Sequence, residues 1–315
     1  MTQQNVIHSQ ECRPIEIPVP FGTISGKWYG SSNIRPLLFI HGYSDNSGTF
    51  DRLIPLLPTQ YSYLAVDLPG HGLSSRLPHG MMYHLTDTSL VILWIMKAYK
   101  WSKVSLVGHS LGAIMCYMFI GMNPEKVDLF IAIDALQPSY PGNILEQQAY
   151  YMQRAMEVDE ASIRKDLPTV YPYEVLLEKI HDGPSSSIPR DICHHLLSRN
   201  ITESRIFPSR YCFRHDNRTK YPIILEWSKE TNVQTAQTAK FPTLVIKASD
   251  SIHYGDEEEF ARLIEIMKRN HPNTKLVGVK GCHYVHLINP ERVASAIIEF
   301  LDGFGYLEDA TQSKL

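Results

Sequence analysis

Long apolar runs are missing from this chain of 315 residues. The greasiest stretches, around Leu90–Met96 and Ala113–Met122, fall short of the roughly 20 residues that cross a bilayer. They are expected as buried helices, with no membrane span. Cysteine is scarce: five residues, Cys12, Cys116, Cys193, Cys212 and Cys282, are scattered without a CxxC pair. That pattern excludes a zinc knuckle, a redox pair and a disulfide scaffold, and reads as reduced thiols in an intracellular protein. Charge of one sign is lacking too. The 30 basic and 33 acidic residues leave a net charge of −3, which makes no electrostatic case for nucleic acid or an anionic membrane. The stretch Met1–Cys12 is polar and lacks the apolar core of a signal peptide. What is present is the composition of a folded protein, 43% hydrophobic and 20% charged. The length suits two domains or one large α/β unit with a core that needs no staples.

Short apolar segments alternate with helical patterns along the chain. Glu16–Pro20 and Thr23–Tyr29 read as a hairpin around Gly22. Leu37–Ile40, Tyr63–Val66, Val104–Val107 and Leu129–Ile133 read as strands. Tyr83–Tyr99 and Leu111–Gly121 read as helices. This rhythm predicts a mostly parallel sheet with helices on both faces. It stops between Ala135 and Lys240, a stretch that looks helical, loop-rich and aromatic, with Tyr150, Tyr151, Tyr171, Tyr173, Phe213 and Tyr221 among others. It resumes with strand Thr243–Lys247, helix Asp256–Asn270, strand Lys275–Val279 and helix Pro290–Leu301. The expected organisation is a core of residues 1–134 and 241–302, a largely helical cap of residues 135–240 inserted between two core strands, and a tail of residues 303–315. The tail ends in Ser313-Lys314-Leu315, the tripeptide read by the peroxisomal import receptor. Peroxisomal localisation is the expectation.

Gly108-His109-Ser110-Leu111-Gly112 matches the G-x-S-x-G nucleophile elbow, with a strand before it and a helix after it. A sharp strand-to-helix turn lifts the Ser110 hydroxyl clear of the sheet, and side chains at 108 or 112 would collide with neighbouring backbone. The plain alternative for Ser110 is a helix N-cap; the flanking strand and helix favour the elbow. A serine hydroxyl needs a base. His283, in Gly281-Cys282-His283-Tyr284-Val285-His286 after the last strand, is the candidate. His286 is expected to orient the loop or pack locally, His109 to point away, and His41 and His71 to stabilise turns near the strand ends. His194-His195 reads as solvated helix surface, and no metal-ligand spacing is seen. The base needs a carboxylate. Asp134, at the end of the strand after the nucleophile's helix, and Asp250, after the strand that follows the insertion, both satisfy the Ser…Asp…His order. Two backbone amides, those of Tyr43 and Leu111, are the expected oxyanion hole.

Together these residues resemble the α/β-hydrolase superfamily. The stretches Phe39–Asp51 and Leu68–Ser75, with Arg214-His215-Asp216-Asn217-Arg218 in the insertion, resemble the animal serine hydrolase-like proteins within it. Members of that subgroup have been associated with peroxisomes. The resemblance implies the α/β-hydrolase fold and an acyl-enzyme mechanism. One departure concerns the acid: the usual G-x-x-D turn is absent, because Ala248 stands for the Gly and Ser251 for the Asp. Some capped relatives place the acid after the preceding core strand, where Asp134 stands. Asp134 is therefore the first choice and Asp250 the alternative. The expected activity is a serine hydrolase of carboxylic esters or thioesters, acting on an apolar small-molecule acyl substrate without cofactor or metal. The alternatives are a weakly active ligand-binding relative, or non-hydrolytic cofactor-free chemistry such as a lyase or oxygenase reaction on the same fold. Arg214, Asp216 and Arg218 are expected as a salt-bridge cluster of the cap before a polar substrate handle.

Overall fold

The computed structural model describes residues 11–303 apart from 139–142, 165–166, 184–187, 224–226 and 254. The expected peroxisomal address Ser313-Lys314-Leu315 lies outside the described residues. An antiparallel hairpin, β1 (Cys12–Val19) and β2 (Gly22–Tyr29), opens the sheet. Six more strands follow: β3 (Leu37–Ile40), β4 (Tyr63–Val66), β5 (Val104–His109), β6 (Val127–Ile133), β9 (Thr243–Ala248) and β10 (Thr274–Val279). Their order is β1-β2-β4-β3-β5-β6-β9-β10, and from β4 to β10 every pairing is parallel.

The residues of β3, β4 and β5 are all buried, as strands covered on both faces require. Alternate side chains divide between two cores. Leu38, Ile40, Leu64, Val66, Leu106 and Phe130 face helices α1 (Asp87–Tyr99), α2 (Leu111–Met122) and α7 (Glu257–Asn270). Leu37, Phe39, Tyr63, Val107, Ile131 and Ile246 face the opposite side, where α9 (Pro290–Asp302), which follows the single turn α8 (Val285–Ile288), contributes Val293, Ile297 and Phe300. The helix α1 begins four residues later than the apolar pattern suggests, because His84 is drawn into a bridge with Ile223. No helix among the described residues is long and apolar enough to cross a membrane.

The chain leaves β3 for β4 on one side and returns to β5 on the other. This reversal creates a crevice beyond the carboxyl ends of β3 and β5, the place where open α/β sheets bind ligands. Between β6 and β9 come α3 (Ile144–Ile163), α4 (Tyr173–His181), α5 (His194–Asn200), the short antiparallel pair β7 (Ile201–Glu203) and β8 (Tyr211–Phe213), and α6 (Lys229–Thr238). The inserted elements are fastened to the core by buried ion pairs. Arg199 on α5 grips Asp67 at the end of β4, with Nη2–Oδ2 at 2.7 Å and Nε–Oδ2 at 3.0 Å. Arg218 pairs with Asp216 at 2.7 Å and donates to the carbonyls of Leu77, Pro78 and Met81. Asp216 and Arg218 thus form the expected cluster, while Arg214 points to solvent. Helix α6 falls inside the 135–240 span but packs on α2 and α7. Its Asn232, Thr235 and Ala236 are buried there, and the Tyr117 hydroxyl donates to the Asn232 carbonyl. By its packing, α6 belongs with the helices of the core.

Candidate active site

Ser110 stands between β5 and α2 with φ 53° and ψ −122°, a left-handed conformation that costs a non-glycine residue on the order of 1–3 kcal/mol. The two glycines of the motif permit this turn by close approach. A Cβ on Gly112 would lie 2.2 Å from the Ile40 carbonyl oxygen, and one on Gly108 would lie 2.5 Å from the Ala113 Cα. A side chain at either position therefore pushes the elbow off the sheet.

The loop after β10 brings His283 over Ser110. His283 Nε2 lies 2.8 Å from Ser110 Oγ, and His283 Nδ1 lies 2.6 Å from Asp134 Oδ2. Asp134 follows β6 with φ 58°. Its other oxygen, Oδ1, accepts from Lys247 Nζ at 2.7 Å and from the Ala248 amide at 2.9 Å. Burial alone would raise the Asp134 pKa. The hydrogen bonds from His283, Lys247, Ser251 and Ala248 outweigh it and hold the carboxyl below its ordinary range. Of the two acids left open by the sequence, Asp134 meets His283. Asp250 is exposed, and its carboxylate accepts from the neighbouring Ser249 hydroxyl.

Leu111 opens α2, so its amide has no acceptor within the helix. The Gly42-Tyr43 loop abuts the elbow: a Cβ on Gly42 would sit 3.1 Å from Ser110 Cβ. The Tyr43 hydroxyl donates to the Lys220 carbonyl, which ties this loop to the insertion.

The other histidines are placed elsewhere. His41 Nε2 accepts from the Leu68 amide and His71 contacts the Pro69 carbonyl, so both brace turns. His286 contacts the Thr49 hydroxyl at 2.7 Å and packs on Phe50. His109 turns from Ser110 and donates through Nε2 to the His283 carbonyl at 2.9 Å. Burial, with His283 and His286 as neighbours, holds His109 well below the ordinary histidine range. His286 is pushed down to about 3 by burial first and the His283 charge second. Both rings are therefore neutral. Burial pushes Asp45 up to about 7, partly opposed by the Asn46 amide and the Thr49 hydroxyl.

A cavity of about 820 Å³ lies over Ser110 and His283. The inserted segment supplies much of its wall, including Tyr151, Ile180, Leu196 and Phe213. A second cavity of about 310 Å³ is lined by Leu68, Leu77, Val91, Trp94 and Met115 among others. The two share Gly42, Tyr43, Leu85, Leu111 and Pro222. The residues carrying the two expected oxyanion amides stand at their junction.

The alpha/beta hydrolase fold family matches residues 35–162, from β3 through the elbow into α3. A probable serine hydrolase of Drosophila melanogaster is 33% identical over 290 residues, covering 90% of this chain and 86% of its own. This chain belongs to the serine hydrolase-like family of α/β hydrolases. A serine hydrolase-like protein of Mus musculus is 30% identical over 316 residues, covering 96% of this chain and 99% of its own. Among solved structures, a hypothetical protein of Pseudomonas aeruginosa superposes with a TM-score of 0.78 at 23% identity, over 93% of this chain and 99% of its own; this likeness is one of fold.

Two features of this serine hydrolase-like chain escape the sequence motifs. Lys247 stands beside the acid, and its only signal is a cation inside the otherwise apolar strand Thr243–Ala248. Asp45, His109 and His286 come together from three distant segments with no common spacing.

Proposed function

We propose that this chain is a serine-nucleophile hydrolase of carboxylic esters or thioesters with an apolar acyl group. The observation that carries the reading is the continuous hydrogen-bonded line from Ser110 Oγ through His283 to Asp134. Ser110 Oγ attacks the substrate carbonyl carbon as its proton passes to His283 Nε2. Asp134 holds the ring with Nδ1–H toward itself and stabilises the imidazolium that forms. The Tyr43 and Leu111 amides receive the oxyanion. His283 then protonates the leaving alcohol or thiol, and the acyl group stays on Ser110. A water gives its proton to His283, attacks the acyl carbonyl and releases the acid, after which the proton returns to Ser110. These steps require no cofactor. The apolar cavity that opens at Tyr43 and Leu111 supports an acyl chain as the buried half of the substrate.

The test is labelling with a fluorophosphonate probe beside hydrolysis of nitrophenyl esters and an acyl thioester. Wild type is expected to label and turn over, and Ser110→Ala to do neither. A well-folded wild type that resists the probe and hydrolyses no ester or thioester overturns the reading and leaves a ligand-binding protein. Product analysis that finds an unsaturated or oxidised product in place of the free acid overturns it in favour of other chemistry.

A further inference from the structure

Behind the elbow, three buried side chains with unpartnered polar atoms come close together. Asp45 is 4% exposed, His109 1% and His286 0%. Asp45 Oδ2, His109 Nδ1 and His286 Nδ1 are each buried with no hydrogen-bond partner among the described residues. One ligand atom from each of the three lies within 4.8 Å of the other two, and the two rings stand 3.9 Å apart at 40°. Unpaired buried polar atoms are costly, and three in one place call for a common partner. We propose that Asp45, His109 and His286 form a binding site for one divalent transition-metal ion of the zinc class.

The donor chemistry favours such an ion. Two imidazoles and one carboxylate suit zinc and its first-row neighbours better than calcium or magnesium, which prefer all-oxygen shells. The outer hydrogen bonds prepare the ligands. His109 spends its Nε2–H on the His283 carbonyl, which leaves the lone pair on Nδ1. His286 Nε2 engages the Thr49 hydroxyl, and Asp45 Oδ1 accepts from the Asn46 amide, so in both residues the second ligand atom is the one left without a partner. With Nδ1 unprotonated on both rings, a proton on Asp45 serves one contact and a water donates to only two of the three acceptors, whereas a cation serves all three. A tetrahedral shell with bonds near 2.1 Å sets donors about 3.4 Å apart, a spacing within the 4.8 Å that bounds the present separations. Asp45 and His109 also line the large cavity, which provides an entry path.

The placement gives the ion a mechanical role. Asp45 belongs to the loop that carries Tyr43, His109 precedes Ser110, and His286 lies in the helical turn Val285–Ile288, three residues beyond His283. On the function proposed above, an ion held by all three cross-links the segments bearing the nucleophile, the base and one oxyanion amide. Binding to the folded state alone then raises the melting temperature.

The test strips the full-length protein with a chelator and titrates it with cobalt(II). The expected result is one tightly bound ion per chain by elemental analysis, an absorption spectrum of low-coordinate cobalt, and a melting temperature several degrees higher. The near-isosteric variants Asp45→Asn and His286→Gln are expected to lose all three signals while keeping their circular dichroism. His194→Ala, on the surface, keeps them. Folded wild type that takes up no stoichiometric ion at micromolar concentration overturns the site and leaves an ordered water or a shared proton in its place. Full retention of the ion in both folded variants overturns the location. Should the variants not fold, X-ray absorption on the loaded wild type decides: two imidazole nitrogens with a carboxylate oxygen uphold the site, and any other shell overturns it.

Discussion

Asp134 carries more partners than the orientation of one histidine demands. His283, Lys247 and the Ala248 amide all converge on its carboxylate. Such saturation explains how a fully buried acid stays ionised. Asp134→Asn is expected to leave the fold intact and to lower kcat for ester hydrolysis by on the order of 10⁴, because the amide cannot stabilise the imidazolium and favours the wrong tautomer. Asp250→Asn, at an exposed position, is expected to change kcat by less than about twofold. Steady-state kinetics of the two variants side by side check both statements, and a collapse in Asp250→Asn would reverse the assignment. Lys247 makes a separate contribution. Lys247→Met leaves a buried carboxylate short of its cation and is expected to cost about 3 kcal/mol in a urea melt.

Among the elements, α5 and the loop after β4 depend on one buried pair. Burial works to raise Asp67, but the Arg199 hydrogen bonds and charge, joined by the Leu73 and Ser47 amides, hold its carboxyl below the ordinary range. A carboxyl whose folded pKa lies below its unfolded value adds stability that is complete above about pH 4 and is lost as pH falls toward the folded value. Arg199→Met removes the partner, so the variant is expected to be less stable by about 3–5 kcal/mol at neutral pH. The gap to wild type is expected to narrow as pH falls below about 4. Urea melts across that range provide the check; a gap independent of pH would show that the loss came from packing and not from the charge pair.

Over the whole molecule, the reversal of strand order between β3 and β5 sets the place of the site, and the inserted segment sets its shape. The large cavity leads to the line of Ser110, His283 and Asp134. The smaller apolar one branches off beside Tyr43 and Leu111. If the branch holds the acyl chain, narrowing it discriminates by chain length. Val91→Phe projects a ring into the branch. The expected outcome is a loss of about tenfold or more in kcat/KM for an octanoyl ester with little change for the acetyl ester. Equal losses on both esters would place the acyl chain in the large cavity instead.

The alternation of strands and helices, the elbow at Gly108–Gly112 and the histidine after the last strand were legible in the sequence because each obeys a local rule. A strand buried on both faces is mostly apolar, and a strained turn over a close backbone contact must have glycine at 108 and 112. Local rules end where contacts join distant segments. Asp134 and Asp250 obey the same chain order, and only the register of β6 beside β9, which brings Lys247 and Ala248 to the Asp134 carboxylate, separates them. Helix α6 reads as polar, Lys-Glu-Thr-Asn-Val-Gln-Thr-Ala-Gln-Thr, yet it is buried on α2. Small side chains and hydrogen bonds, and no apolar stripe, make that contact. The convergence of Asp45, His109 and His286 has no spacing at all in the chain. Their ligand atoms meet because the loop after β3, the last residue of β5 and the helical turn after β10 come together beyond the carboxyl ends of the strands, and only the packing of the folded molecule decides that.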